Sequence, residues 1–495
     1  MDLQKRSEML EKAKKMLSEK SEIENAHKSG KKTAYELMNI LFDKGTFVEN
    51  GAYIKASALE AGFSDKSAYE GVVCGYGAVD GRLVFAYAQD VSRINGAFSK
   101  AASDKIVNLY DLAKKNGAPV VSMFDSMGAK IAEGIDVLSG YGKVMKASAG
   151  LKGIVPQISV IFGEACGANS VIASMADISI MTERANLSLS PVNVLESDGA
   201  EKNVGSASYN DRKGFVADVA KDEYEAAEHV RQILSFLPSN KLDRNVYLGA
   251  QDDANRETPE IADISSNPVF DAHDIIASLS DAGIYKELFS GHAKAMITAF
   301  AAINGIPCGI VANNPAENNG KICAGGAKKA ASFIKTCGSF GLPVLTLVAT
   351  GGFNDECEAK GKSAFVSVSE LADAYASSKS PMVTLNIGEA YGSAFTVMGS
   401  KSLGADIVYA LENAKIGVLA PSSSVAMLWS DKLYGSKAPI EKRKELEKEW
   451  ELYMSTPLLA ANAGAIDDII PAKLVRAKIA SALEMLSMKN EFVNL

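Results

Sequence analysis

The chain has 495 residues, 47% hydrophobic and 23% charged, which is too long for one ordinary core and apolar enough to build two of similar size. Its net charge of −8 argues against nucleic acid as the main partner, although local lysines and helix amino termini can still hold phosphates. No apolar run reaches the roughly 18 residues of a membrane span, and the charged start MDLQKRSEMLEKAKK lacks a signal-peptide core, so the expected location is the cytoplasm.

From Asp2 to Asp43 the spacing of apolar residues between charges predicts helix. GVVCGYGAVDGRLVFAYAQD, from Gly71 to Asp90, holds two β-rich runs broken at Asp80-Gly81, a hairpin signal. DKIVNLYDLAKKNG predicts a helix ending at Gly117, and APVVSMFDSMG a strand running into a glycine turn. EGIDVLSGYGKVMKASAGL returns to helical spacing, and PQISVIFGEACGANSV follows as an apolar run entering small residues.

The second half repeats this order. PMVTLNIGEAYGSAFT answers PQISVIFGEACGANSV, and Gly392 minus Gly167 gives 225. Gly305 minus Gly81, Gly341 minus Gly117 and Gly352 minus Gly128 all give 224. Matched blocks in one order, at offsets of 224 to 230, indicate a tandem duplication of a β/α domain. Between the halves, AQDDANRETPEIADISSNPVFD reads as a polar, exposed connector. It places the boundary near residues 250–270 and the domains at 1–255 and 256–495. The tail predicts a charged helix in IEKRKELEKEWELYM and a last helical segment from Pro471 to about Lys489.

Conventional side-chain catalysis finds little support. The four histidines (His27, His229, His273, His292) show no metal-ligand spacing, and the six cysteines show no CxxC pair. There is no GxSxG elbow and no GxxxxGK[ST] loop. What remains is backbone. Each domain has two strand-to-helix turns of glycine and small residues: Ser126–Ala129 and Cys166–Ala168, then Gly351–Phe353 and Gly392–Ala394. Such turns leave amide N–H groups unpaired and let a ligand approach the chain. Two amides converging on one oxygen form an oxyanion hole, in which each donor is worth roughly 3–4 kcal/mol. The plainer alternative is that these glycines only permit tight turns or close helix packing.

These halves resemble the tandem crotonase-like domains of biotin-dependent acyl-CoA carboxyltransferases, the family of acetyl- and propionyl-CoA carboxylase β subunits, the transcarboxylase large subunit and the α subunits of methylmalonyl- and glutaconyl-CoA decarboxylases. The likeness runs through HKSGKKTAYELMNILFDKGTFVE, DSMGAKIAEGIDVLSGYG and PQISVIFGEACGA, then VFDAHDIIASLSDAGIYKELFSG, GIPCGIVANNPA and EAYGSAFTVMGSKSLGADIVYA. It implies an α/β fold made of two ββα superhelix domains, with acyl-CoA over the first and carboxybiotin, borne on a separate carrier protein, over the second. It also implies that carboxybiotin releases CO2, that its nitrogen takes the proton α to the thioester, and that the resulting thioester enolate captures the CO2. No metal takes part. Charge then develops on two oxygens, one per domain.

Carried over by position, the resemblance puts the acyl-CoA amide pair on Gly167 and Ala168 and the biotin pair on Ser393 and Ala394. Gly128, Ala129 and Lys130 would line the CoA site. Gly352, Phe353 and Gly392 would flank the biotin, with Thr396 where the family sets acyl-chain size. Thr396 as a packing residue, Lys130 as an exposed solvating lysine and Cys166 as a buried apolar thiol are the plainer readings of those positions. Met127, Ala168 and Ser393 stand where the family usually has glycine. The amide donors survive, but the pockets would be narrower. No Ala-Met-Lys-Met biotinylation motif and no ATP-grasp region is visible, so the implied partners are a biotin carboxyl carrier protein with a biotin carboxylase or a membrane decarboxylase subunit. A homo-oligomer, a hexamer of stacked dimers, is also implied. Left open are a sodium-coupled decarboxylase running the same site in reverse and a non-catalytic assembly subunit.

Overall fold

A computed structural model describes residues 5–8, 20–54, 70–243, 248–249, 252–354, 364–433 and 438–489. Contacts among them form two compact units, one within Met1–Asp243 and the other within Arg244–Leu495.

The first unit is built on a seven-stranded sheet. Its edge is β1 (Val48–Asn50), followed by the antiparallel pair β2 (Val72–Val79) and β3 (Arg82–Gln89). The expected hairpin turn is present: Asp80 and Gly81 have φ of 48° and 77°, the left-handed pair that matches strand twist in a two-residue turn. From β3 the sheet continues in parallel through β4 (Val120–Phe124), β5 (Gln157–Ile161), β7 (Ile178–Thr182) and β9 (Asp218–Ala220). β4 and β5 are buried throughout, which explains why they read as unbroken apolar runs. A short parallel pair, β6 (Glu164–Cys166) with β8 (Asn186–Ser188), stands apart from the sheet.

Helix Lys100–Asn116 joins β3 to β4 and ends where expected, with Gly117 at φ 59° taking the left-handed cap. Helix Ile135–Ala149 packs beside it, and Phe98 stacks on Tyr141 with ring centroids 3.9 Å apart. Phe98 is 1% exposed, and truncating it to alanine would cost about 3–5 kcal/mol. Helix Ala34–Leu41 starts with a reciprocal cap between Thr33 and Glu36, so the helix expected from Asp2 to Asp43 is broken at residues 31–33; its residues 2–4 and 9–19 lie outside the described residues.

The second unit repeats the first. β10 (Tyr285–Leu288), β11 (Met296–Ile303) and β12 (Ile306–Asn313) pair antiparallel. β13 (Val344–Thr350), β14 (Met382–Tyr391), β15 (Ile407–Leu411) and β17 (Asp468–Ile470) continue in parallel. β16 (Lys415–Gly417) pairs with the far end of β14, as β8 pairs with β6. Asn304 and Gly305 take φ of 53° and 72°, the same hairpin turn. The charged tail forms helix Pro439–Met454 and the last helix spans Val475–Met485. The connector departs from expectation. It contains helix Glu260–Ser266, with Ile261 buried and the Thr258 hydroxyl donating to the Ala472 carbonyl at 2.8 Å. Seven residues are too few to show a helical period against a polar background.

Candidate active site

In the first unit the turn after β4 is fixed by neighbours on both sides. The Ser126 amide donates to the Glu164 carbonyl at 2.9 Å, and the Met127 amide to the Asn95 carbonyl at 3.2 Å. The Gly128 amide meets the Ser126 hydroxyl at 3.0 Å. Phe98 brackets the next step, its amide donating to the Gly128 carbonyl and its carbonyl accepting from Lys130, both at 2.8 Å. Ala129, between the bracketed residues, presents its amide to the opposite side. That N–H has no acceptor among the described residues.

The second donor comes from the helix that β6 feeds. Gly167 takes φ 61° and ψ −126°, beyond the ordinary range of a side-chain-bearing residue, and turns the chain into helix Ala168–Met175. Ala168 is the first residue of that helix, where amides have no partner within the helix, and its N–H has no acceptor among the described residues. Gly167 was expected to donate as well. Its amide is instead bonded to the Ser188 carbonyl at 3.2 Å, because the β6–β8 pairing runs one residue past the strand. Of the two residues expected to donate here only Ala168 keeps its amide open, and Ala129 adds an open amide from the turn after β4. The two loops lie side by side, since the Glu164 amide donates to the Asp125 carboxylate at 3.2 Å and the same carboxylate pairs with Lys31 at 2.8 Å.

The second unit reproduces this arrangement. The Gly352 amide meets the Thr350 hydroxyl at 3.3 Å, the Ile322 amide donates to the Gly352 carbonyl at 3.0 Å, and the Asn354 amide donates to the Ile322 carbonyl at 2.9 Å. The Phe353 amide is left without an acceptor among the described residues. Gly392 repeats the φ of 61° at the start of helix Gly392–Val397, and the Ser393 and Ala394 amides are likewise open. In this register Gly167 matches Gly392 and Ala168 matches Ser393. Sequence reasoning placed Ala129 and Phe353 as lining residues and missed their amides. The signal was available in the equal spacing of Gly128 and Gly352 but needed the bracketing partners, Phe98 and Ile322, to be read.

Open space completes both sites. Gly128 and Gly352 have φ of 109° and 137°, and among the described residues no atom lies within 4 Å of where a Cβ would stand on either. A flat or extended ligand can therefore lie against the backbone there. Ser393 and Thr396 share the exposed face of their helix, three residues apart. Beside the first-unit turn runs a cleft of about 510 Å³, lined by Asn25, Lys31, Ser92, Asn95, Met127 and Glu164. Met127 is 79% exposed at its rim. At its counterpart Gly351 the Glu389 carboxylate lies 3.3 Å from the position of a Cβ, a close contact that the exposed glutamate would have to yield slightly to relieve. Lys130 is turned toward Glu133, 3.6 Å away, with 19% of its side chain exposed. Cys166 is half-buried rather than buried, its Sγ 3.8 Å from the Leu189 carbonyl.

Among the described residues no cluster of His, Cys, Asp and Glu could hold a metal ion, and no helix is long and apolar enough to cross a membrane. The carboxyl transferase domain model matches residues 25–494. The chain is 35% identical over 479 residues to the methylmalonyl-CoA decarboxylase α subunit of Propionigenium modestum, covering 95% of this chain and 93% of that one. It is 34% identical over 478 residues to the methylmalonyl-CoA carboxyltransferase 12S subunit of Propionibacterium freudenreichii subsp. shermanii, covering 95% and 91%. A crystal structure of transcarboxylase 12S, described as a hexamer assembly with hydrolysed methylmalonyl-coenzyme A bound, superposes with a TM-score of 0.92 at 33% identity, covering 98% of this chain and 96% of that one.

Proposed function

The chain belongs to the carboxyl transferase domain family, and from that premise we propose that it moves a carboxyl group between biotin on a separate carrier protein and the α-carbon of a short-chain acyl-CoA. The observation that supports this best is the matched pair of open amides in each unit: Ala129 with Ala168, and Phe353 with Ser393. Negative charge developing on a thioester oxygen over the first unit would be held by the Ala129 and Ala168 N–H groups. The amides are set before reaction by Phe98, Gly128 and the helix start, so no reorganisation is needed as charge develops. The Asp125–Lys31 pair would keep the two donor loops together while the CoA portion lies along the cleft beside Met127.

The second unit suits the biotin ring. The open space over Gly352, the Phe353 and Ser393 amides and the adjacent Ala394 amide form a shallow cradle for a ureido oxygen. When bound, carrier-borne biotin would supply the carboxyl group and a nitrogen base. Phe353, Gly392 and Thr396 would orient it. The protein's own share is to hold both oxygens and exclude competing geometry, which is why histidine or carboxylate catalysts are not required. The same site would serve either direction, a reading supported by relatives named for a decarboxylase and for a carboxyltransferase. A biotin carboxyl carrier protein, a biotin carboxylase or membrane decarboxylase subunit, and a homo-hexamer complete the proposal.

The test is carboxyl exchange. The purified protein is mixed with methylmalonyl-CoA or propionyl-CoA and with free biotin or a biotinylated carrier, and isotope-labelled carboxyl is followed between the two. Transfer that requires both components supports the reading. No transfer with any short acyl-CoA would overturn it, and a lack of CoA-ester binding by calorimetry as well would favour an assembly subunit.

A further inference from the structure

The two donors of the first unit sit on separate elements, the turn after β4 and the start of helix Ala168–Met175, and something must hold one against the other. One buried side chain touches both. Gln89, the last residue of β3 and 3% exposed, accepts from the Asp125 amide through its Oε1 at 3.2 Å. Its Nε2 donates to the Asn169 Oδ1, also at 3.2 Å. Asp125 opens the donor turn, and Asn169 is the residue after Ala168 and is fully buried. The orientation of both amides follows from the chain itself. A backbone N–H can only donate, so Gln89 must offer it oxygen, its nitrogen must face Asn169, and Asn169 must answer with oxygen.

We propose that Gln89 is a positioning residue that fixes the separation of the Ala129 and Ala168 amides; Asn313 stands at the matching position of the second unit. Asn313 minus Gln89 gives 224, the offset of the matched glycines. The Asn313 Oδ1 accepts from the Ala349 amide at 3.3 Å, the bond that corresponds to Gln89 and Asp125. Its Nδ2 lies 4.0 Å from the Sδ of Met398, just past the helix that begins at Gly392. Both units thus put a buried carboxamide at the end of the same strand, although Asn313 meets the far end of its helix where Gln89 meets the start.

Fold stability alone explains this poorly. The Asn169 Nδ2 is buried with no hydrogen-bond partner among the described residues, a destabilising cost that an apolar side chain there would avoid. Oxyanion donors, in contrast, need sub-ångström placement, and an error of about 1 Å can cost about 100-fold in rate.

The inference rests on the carboxyltransferase reading, and the experiment separates the two. Gln89→Met keeps the length and apolar bulk but removes both bonds; Asn169→Leu removes only the helix bond. Each variant is assayed for carboxyl exchange per folded protein, alongside its melting temperature and its KM for the acyl-CoA. The expected result is a fall in kcat of about 10-fold or more with KM within about twofold, because the donors are displaced while the CoA cleft is kept. Should Gln89→Met fail to fold, Asn169→Leu decides. Wild-type kcat per folded site in the soluble variant overturns the positioning role, as does a loss confined to KM or melting temperature. An inactive wild-type protein would instead strike at the proposed function itself.

Discussion

Deleting one donor without disturbing the fold is possible at Ala168. It is the first residue of helix Ala168–Met175, the position where proline is best tolerated, since the N–H it lacks has no partner in the helix. The preceding Gly167 has ψ −126°, extended enough to accept a following proline. Ala168→Pro therefore removes one N–H and little else. Loss of a single oxyanion donor corresponds to about 3 kcal/mol, or roughly 100–200-fold in kcat, with the Ala129 amide sustaining the remainder. Ala168→Gly keeps the amide and should stay within about threefold of wild type, at a stability cost of about 0.5–1 kcal/mol. The assay is carboxyl exchange at saturating acyl-CoA with circular dichroism as the folding check. A folded Ala168→Pro protein with kcat within threefold of wild type would refute the reasoning.

Further outcomes follow from other positions. Met127→Gly should widen the cleft beside the first-unit donors and raise kcat/KM for a bulkier acyl-CoA relative to propionyl-CoA by about 10-fold, measured in competition; an unchanged ratio would place Met127 outside the acyl pocket. Lys31→Met strands the nearly buried Asp125 carboxylate and should lower unfolding free energy by about 1–3 kcal/mol in urea titrations, with Lys31→Met/Asp125→Asn recovering part of it. His273 bridges Asp271 at 2.6 Å and Glu287 at 3.0 Å, and the bond to Glu287, with that to Asp271, raises its pKa to about 9. Because the folded value lies above the unfolded one near 6.5, this stabilisation is complete below about pH 6.5 and is lost as pH rises through 9. With a third of the side chain in solvent its worth is about 1 kcal/mol, so His273→Gln should lower the melting temperature at pH 6 and not at pH 10.

The duplicated architecture was legible because it is written in backbone-determining residues. Asp80-Gly81 and Asn304-Gly305 require left-handed turns, Gly117 caps a helix, and fully buried β4 and β5 carry continuous apolar runs. The turns that carry the proposed site were equally visible. Which amide in each turn stays open was not, because that depends on partners distant in sequence. Gly167 loses its donor to Ser188, and Ala129 and Phe353 keep theirs because Phe98 and Ile322 occupy only the alternate positions. Gln89 carries no motif at all, and only its two simultaneous contacts reveal it. The helix Glu260–Ser266 escaped for a different reason, since burial of Ile261 and Thr258 against the unit outweighs a polar local sequence.

The most direct measurement is a crystal structure with a non-hydrolysable acyl-CoA bound. The account predicts its thioester oxygen about 2.7–3.1 Å from the amide nitrogens of both Ala129 and Ala168. A thioester oxygen held by side chains or water, with those two nitrogens pointing elsewhere, would contradict it.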